Sequence, residues 1–381
     1  MQNTDGNLII FIDSYPYNIL QRTGYFENFT IRRKMNPGFG YSINLQAEIF
    51  TGKCPDDLGY FCEWRYSPQD SRFARWKAPF NLLRPSRRFY YLDRIAHRAL
   101  GKFFGNIGTI PFSYLPYLCK VPGDVFQNNF GHASLFTAFP SIKLISFRDF
   151  KHLPSSQKDI GVYQGVLQAI PHYNNIVATL VDLDGLAHGH GIDSEIYLEH
   201  LQKLDSWINT LSEKFLKLYP KGSVIIVSDH GIAPVSHGLD PAIEKNFGRP
   251  ALKRYYYFVD ATILRIWTFD PILRQEMHNY LDTCSEGSPL TDSERRDYGL
   301  AHAGHGDLIF QLKEEVMFQP SFWGKGLSHA MHGYHPSCER QQGIFLIRSE
   351  KKEAVPGLPV RAIRTTESFS ILHEMVYRTC T

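Results

Sequence analysis

The chain has 381 residues, 43% of them hydrophobic, which is enough for one large α/β domain or two ordinary ones, with ample material for a core. Its formal charge of +3 is small and dispersed, which excludes the clustered basic footprint of a nucleic-acid-binding protein. The six cysteines stand far apart without a CxxC pair, which argues against a cysteine zinc site or a dense disulfide framework and leaves free thiols in a reducing compartment as the expectation.

The opening "MQNTDGNLIIFIDSYPY" has no basic segment ahead of its apolar run, and the run is too short for a signal core or a membrane span. A cytoplasmic protein without a membrane span is expected. "NLIIFIDS" reads as a first strand buried on both faces, with Asp13 at its carboxyl end. In "NPGFGYSINLQAEIFTGKCPDDLGYF", glycine and proline end just before Ser42, and a short helix is expected from there to Gly52. Ser42 at that amino terminus has two readings, a plain N-cap or the neighbour of an anion held by free N–H groups and the helix dipole. No GxSxG elbow accompanies it, so a hydrolase triad does not explain this serine.

Residues 64–150 are rich in aromatic and basic groups, irregular in period and interrupted by proline, and read as an inserted cap. "NNIVATLVDLDG" is a second buried strand, and it runs into "VDLDGLAHGHGID", where three aspartates and two histidines crowd among glycines. Buried charge needs a partner or a metal, and a turn at Gly185 would bring Asp184 and His188 together. "DSEIYLEHLQKLDSWINTLSEKFLKLY" spaces Ile196, Leu198, Leu201, Leu204, Ile208, Leu211, Phe215 and Leu218 as one face of an amphipathic helix. It leads to a third strand, "GSVIIVSDHG". Such a βαβ crossover carries Asp184 and the pair Asp229 and His230 to one edge of a parallel sheet. Residues 238–328 hold the strand-like "RYYYFVDATILRIWTF" and "GDLIFQL", and read as a small α+β insertion. Finally, "LSHAMHGYHP" adds His329, His332 and His335.

Singly, these pieces have ordinary readings: an aspartate ending a strand caps a helix, and a loop histidine is solvated. Jointly, carboxylates and imidazoles without thiolates describe a hydrolytic site for zinc or manganese, with ligands enough for two ions.

The order of these motifs resembles the alkaline phosphatase superfamily, and most closely its type I phosphodiesterase/nucleotide pyrophosphatase branch. The resemblance runs over about residues 7–63, 160–235 and 305–381. It implies an alkaline-phosphatase-like α/β/α sandwich of three layers with a mostly parallel sheet, a single catalytic domain over 1–381 carrying the two insertions. Its nucleophile segment is matched by Ser42 with Thr51, Gly52, Pro55 and Gly59, and its D-x-x-G-H-x-x-G element by "DGLAHGHG", with alanine where glycine usually precedes the histidine. "SDHGI" and "HGY" complete the set.

By this resemblance one divalent ion is bound by Asp184, His188 and His332, and the other by Asp13, Asp229, His230 and the Ser42 oxygen. Zinc is preferred and manganese is second. Ser42 then serves as nucleophile through a phosphoseryl intermediate on a small phosphodiester or pyrophosphate, such as a nucleotide or nucleotide-sugar. A phosphomonoesterase, a phosphonate hydrolase and a phosphoryl-type transferase share the scaffold, and a metal-stabilised binding protein is the non-enzyme alternative. A sulfatase is set aside because "SINLQ" lacks the proline and arginine of the C/S-x-P-x-R setting.

Overall fold

The computed structural model describes residues 4–77, 80, 101, 107–121, 124–127, 130–154, 156–248, 250, 254–324, 326–350 and 358–380. Two compact units divide the chain: Met1–Cys54, Gly123–Pro234 and Ser328–Thr381 form one, and Pro55–Pro122 with Val235–Leu327 form the other. Much of the stretch expected to be a cap, including "NLLRPSRRFYYLDR", lies outside the described residues.

The first unit is built on a seven-stranded sheet. In chain order its strands are β1 (Asn7–Ile12), β2 (Ile31–Asn36), β3 (Lys143–Ser146), β4 (Asn175–Leu180), β5 (Ser223–Val227), β6 (Gly343–Ser349) and β7 (Ile363–Arg364). They lie side by side as β7-β2-β6-β5-β1-β4-β3, and only β6 runs against its neighbours. Its helices are α1 (Ser42–Thr51), α2 (Lys158–Ala169), α3 (Asp182–His190), α4 (Glu195–Leu218) and α5 (Thr365–Cys380), along with shorter pieces.

Both faces of β1 are covered, as its unbroken apolar run requires. Leu8, Ile10 and Ile12 join one hydrophobic cluster with Val162 and Val166 of α2 and Leu201, Leu204 and Ile208 of α4. Phe11 faces the other way and meets Phe50 of α1 edge-on, with ring centroids 6.1 Å apart. The crossover expected from β4 to β5 is present, but the two strands are not adjacent. β1 fits between them, in register with both, so three strand ends rather than two converge.

α4 differs from its expected face at both ends. Tyr197 and His200 are buried, whereas Ile196, Leu198 and Leu218 are exposed. The buried stripe follows Tyr197, Leu201, Leu204, Ile208, Leu211 and Phe215, which is the i, i+3, i+4 pattern. α1 ends at Gly52, whose φ of 72° lies in the left-handed region where a side chain is strained, as its glycine predicts.

The second unit has its own core and a four-stranded antiparallel sheet. Here "RYYYFVDATILRIWTF" is a hairpin, Tyr255–Val259 paired with Ile263–Thr268. Asp260 breaks the run: its carboxylate takes the buried Arg265 guanidinium at 3.2 Å and the Trp323 indole N–H at 2.6 Å. Leu308–Leu312, within the expected "GDLIFQL", pairs with Ile263–Thr268. No helix among the described residues is long and apolar enough to cross a membrane.

Candidate active site

The carboxyl ends of β1, β4 and β5 meet at one edge of the sheet, and every candidate residue lies in the first unit. Asp13 follows β1 directly, its N–H held by the Leu180 carbonyl at 2.9 Å. Asp229 and His230 follow β5 after Ser228. Gly231 has to be glycine, because a Cβ there would run into the Arg340 carbonyl oxygen. Ser14 adopts a left-handed φ of 63°, rare for a side-chain-bearing residue, and its N–H reaches Asp229 Oδ1 at 3.3 Å.

The stretch "DLDGLAHGH" is α3 rather than a turn. Asp184 and His188 therefore meet as an i, i+4 pair on one helix face, with Gly185 inside the helix, and Asp184 Oδ2 lies 3.3 Å from His188 Nε2. His332 arrives from the far end of the chain. It follows Ala330–Met331, which pair antiparallel with Ala233–Pro234 just beyond His230. As a result the His332 ring stacks on that of His230, 4.0 Å between centroids, and its Nε2 is 3.8 Å from Asp184 Oδ1.

Ser42 is the first residue of α1, but Tyr41 occupies the cap position, so the plain serine N-cap is corrected. Asn44, at the third helical position, accepts the Tyr41 N–H on its Oδ1 at 2.9 Å and so fixes the helix start one residue before Ser42. The Ser42 hydroxyl is left 2.9 Å from His230 Nε2 and 3.4 Å from Asp13 Oδ1. Potential ligand atoms of Asp184, His188 and His332 lie within 4.8 Å of one another, as do those of Asp13, Asp184 and His230. Asp184 thus stands between the two groups, where the resemblance assigns it to one.

The surroundings suit a cation. Burial, then Asp229 and Asp184, push the Asp13 carboxyl well above its ordinary value, and burial does the same to Asp229. Burial also opposes ionisation of Asp184, but His188, His332 and His230 outweigh it and hold that carboxyl well below the usual range. Burial lowers His188 while Asp184 raises it, to about 9. Burial and then His230 depress His332.

Two histidines have fixed tautomers. Nδ1 of His188 faces the Ala330 carbonyl and Nδ1 of His230 the Gly231 carbonyl, each at 2.8 Å. A carbonyl only accepts, so Nδ1 carries a proton in both and Nε2 is the nitrogen directed into the cluster, the one an ion would take in place of any proton there. Buried Oδ1 of Asp184 and Oδ2 of Asp229 have no hydrogen-bond partner among the described residues. Convergent imidazole nitrogens and orphaned carboxylate oxygens fit divalent ions.

The three other histidines in these motifs are peripheral. His190 and His329 are exposed, the latter donating its backbone N–H to the His188 carbonyl at 3.0 Å, and His335 pairs with Ser337. Sequence reasoning missed Gln46, whose amide lies 3.4 Å from Asp13 Oδ2, and Tyr41, whose ring meets His332 edge-on. Gln46 was findable, being four residues beyond Ser42 on the same helix.

A model of the type I phosphodiesterase / nucleotide pyrophosphatase family matches residues 125–287, which include Asp184, His188, Asp229 and His230. Among solved structures, murine ectonucleotide pyrophosphatase/phosphodiesterase 5 has a similar fold, with a TM-score of 0.64 at 13% identity over 98% of this chain and 95% of that one. An inactive form of the murine protein in complex with AMP gives the same TM-score at 12% identity and the same coverage. The human protein gives 0.62 at 12%, again over 98% and 95%. No curated protein sequence matches the chain.

Proposed function

We propose that this chain, whose residues 125–287 belong to the type I phosphodiesterase/nucleotide pyrophosphatase family, is a two-metal phosphodiesterase with Ser42 as its nucleophile. The observation that carries the reading is the Ser42 hydroxyl, 2.9 Å from His230 Nε2, beside two overlapping sets of carboxylate and imidazole ligands. Asp184, His188 and His332 would hold one ion, and Asp13, Asp229, His230 and Ser42 the other. Zinc suits this donor set and manganese is the alternative. Bound there, two divalent ions supply Lewis acidity, which lowers the pKa of a hydroxyl and offsets charge on phosphoryl oxygens.

The chain's own groups do the rest. The Ser42 hydroxyl lies beside Asp13 Oδ1 and His230 Nε2, two of the groups that would hold the second ion, so its oxygen stands where such an ion would lower its pKa and let it attack phosphorus without a separate histidine base. The α1 amino terminus presents backbone N–H groups and the positive end of its dipole to the phosphoryl oxygens. Ser42 Oγ displaces the leaving alcohol and becomes a phosphoserine; water then breaks the new ester bond and returns the hydroxyl. Two in-line displacements give net retention at phosphorus. A nucleotide-containing diester or pyrophosphate is the preferred substrate class, supported by the AMP in the complex of the structurally similar murine protein.

The test is release of p-nitrophenol from bis(p-nitrophenyl) phosphate and from p-nitrophenyl phosphate by metal-replete protein, with and without chelator. Chelator-sensitive turnover with the diester favoured is expected. Faster monoester cleavage would replace the diesterase reading by a monoesterase, and no chelator-sensitive turnover of either would refute a hydrolase.

A further inference from the structure

Behind α3 a second group of titratable side chains is fully buried: Asp159 of α2 is 0% exposed, Asp182 of α3 2% and His200 of α4 6%. Their potential ligand atoms also lie within 4.8 Å of one another, yet they are already engaged. Asp159 Oδ1 accepts the N–H groups of Val181 at 2.8 Å and Asp182 at 3.2 Å. Asp159 Oδ2 accepts from His200 Nε2 at 2.9 Å. In return, Asp182 Oδ2 accepts the Asp159 N–H at 2.9 Å. Two helix amino termini, α2 and α3, thus each receive a carboxylate from the other. Their N–H groups and dipole ends supply the positive potential a metal would otherwise bring, so this trio is a clasp and not a third ion site.

α3 has no cap of its own. Val181 stands at its N-cap position with an apolar side chain, so Asp159, more than twenty residues away in sequence, satisfies the orphan N–H groups of the first turn. Asp184 and His188 sit on the same nine-residue helix, two and six residues after the clasped Asp182. A helix this short has little intrinsic stability, and its start sets the rotation and height of both side chains.

We propose that Asp159, braced by His200, is a positioning residue for the metal centre, holding α3 so that Asp184 and His188 present their oxygen and nitrogen together. This rests on the two-metal reading above. Removing an outer-shell partner of a metal ligand typically weakens the ion about 10- to 100-fold. Asp159 acts one step further back, through the helix start, so the low end of that range applies.

The test compares Asp159→Ala, Asp159→Asn and His200→Ala with wild type by Zn2+ titration calorimetry and by the visible spectrum of the Co2+-loaded protein. Asp159→Ala should weaken at least one ion about tenfold and shift the Co2+ bands. Asp159→Asn keeps an oxygen for Val181 and Asp182, and its amide N–H can donate to His200 Nε2 once that ring carries its proton on Nδ1, so it should restore wild-type bands and an affinity within about threefold. His200→Ala leaves Asp159 Oδ2 buried without its donor and should weaken the ion about threefold or more. Wild-type affinity and bands in Asp159→Ala, or in His200→Ala if the former does not fold, would overturn the proposal. Wild-type protein that binds no Zn2+ would instead overturn the two-metal reading.

Discussion

Glu48 sits in the middle of α1 at 1% exposure, six residues after Ser42. Burial pushes its carboxyl from the ordinary 4.5 up to about 7, against the hydrogen bonds it receives from the Thr365 hydroxyl and from Asn44 Nδ2 at 2.9 Å. A carboxyl raised on folding favours the folded state while protonated: its contribution is full below pH 4.5 and is lost as the pH rises through about 7. At about 1.4 kcal/mol per pH unit, the loss approaches about 3 kcal/mol by pH 8.

Glu48→Gln is close to isosteric and keeps an oxygen for Asn44 Nδ2, while Thr365 Oγ can accept from the new amide. Equilibrium urea unfolding of both proteins from pH 4.5 to 8.5 should therefore show the stability difference, wild type minus variant, falling by about 3 kcal/mol, with most of the change between pH 5 and 7.5. Parallel stability curves, with a difference that moves by less than about 1 kcal/mol, would refute the assignment of a carboxyl raised by burial at this position. The site feels the same residue, because Asn44 also holds the Tyr41 N–H and the Phe39 carbonyl, the backbone that delivers Ser42.

Asp184→Ala should remove more bound metal than His188→Ala, since Asp184 is a proposed ligand of one ion and also has an oxygen within 4.8 Å of the Asp13 and His230 atoms proposed for the other; elemental analysis after dialysis checks this, and equal losses would contradict any influence of Asp184 on the second ion. Mn2+ added to metal-free protein should raise the thermal midpoint, with about 2.7 kcal/mol of stabilisation per site at a hundred times its dissociation constant. A midpoint that stays put up to millimolar Mn2+ would count against the carboxylate cluster as an ion site. In the second unit, Asp260→Ala leaves Arg265 buried without its counter-ion and should cost about 3 to 5 kcal/mol in urea unfolding. A loss below about 1 kcal/mol would show that the pair is not buried as described.

The core was legible because three apolar runs of β-branched residues, each ending in acid or histidine, have few alternatives to buried parallel strands. Position within the sheet was not. Nothing in "NLIIFIDS" says that it inserts between the other two strands, a choice made by packing of distant segments. Asp184 and His188 were paired correctly by spacing but placed on a turn, because two glycines within nine residues read as helix breakers. The helix persists because Asp159 caps it from outside, and that contact leaves no mark in local sequence. The Ser42 cap fails for a similar reason: the helix starts one residue earlier at Tyr41, a residue type that does not mark an N-cap, and the Asn44 bond to the Tyr41 N–H shows only in the fold. His332 is singled out from His329 and His335 only through the resemblance, whereas its physical placement depends on Ala330–Met331 pairing with Ala233–Pro234.

Ser42→Ala tests the central claim most directly, with diester turnover and metal content measured on the same preparation. The expected result is two ions per chain retained and hydrolysis reduced by orders of magnitude, because Asp13, Asp229 and His230 would still hold the ion that Ser42 shares, while the attacking oxygen is gone. Undiminished, metal-dependent turnover in Ser42→Ala would contradict the nucleophile and the phosphoseryl route with it.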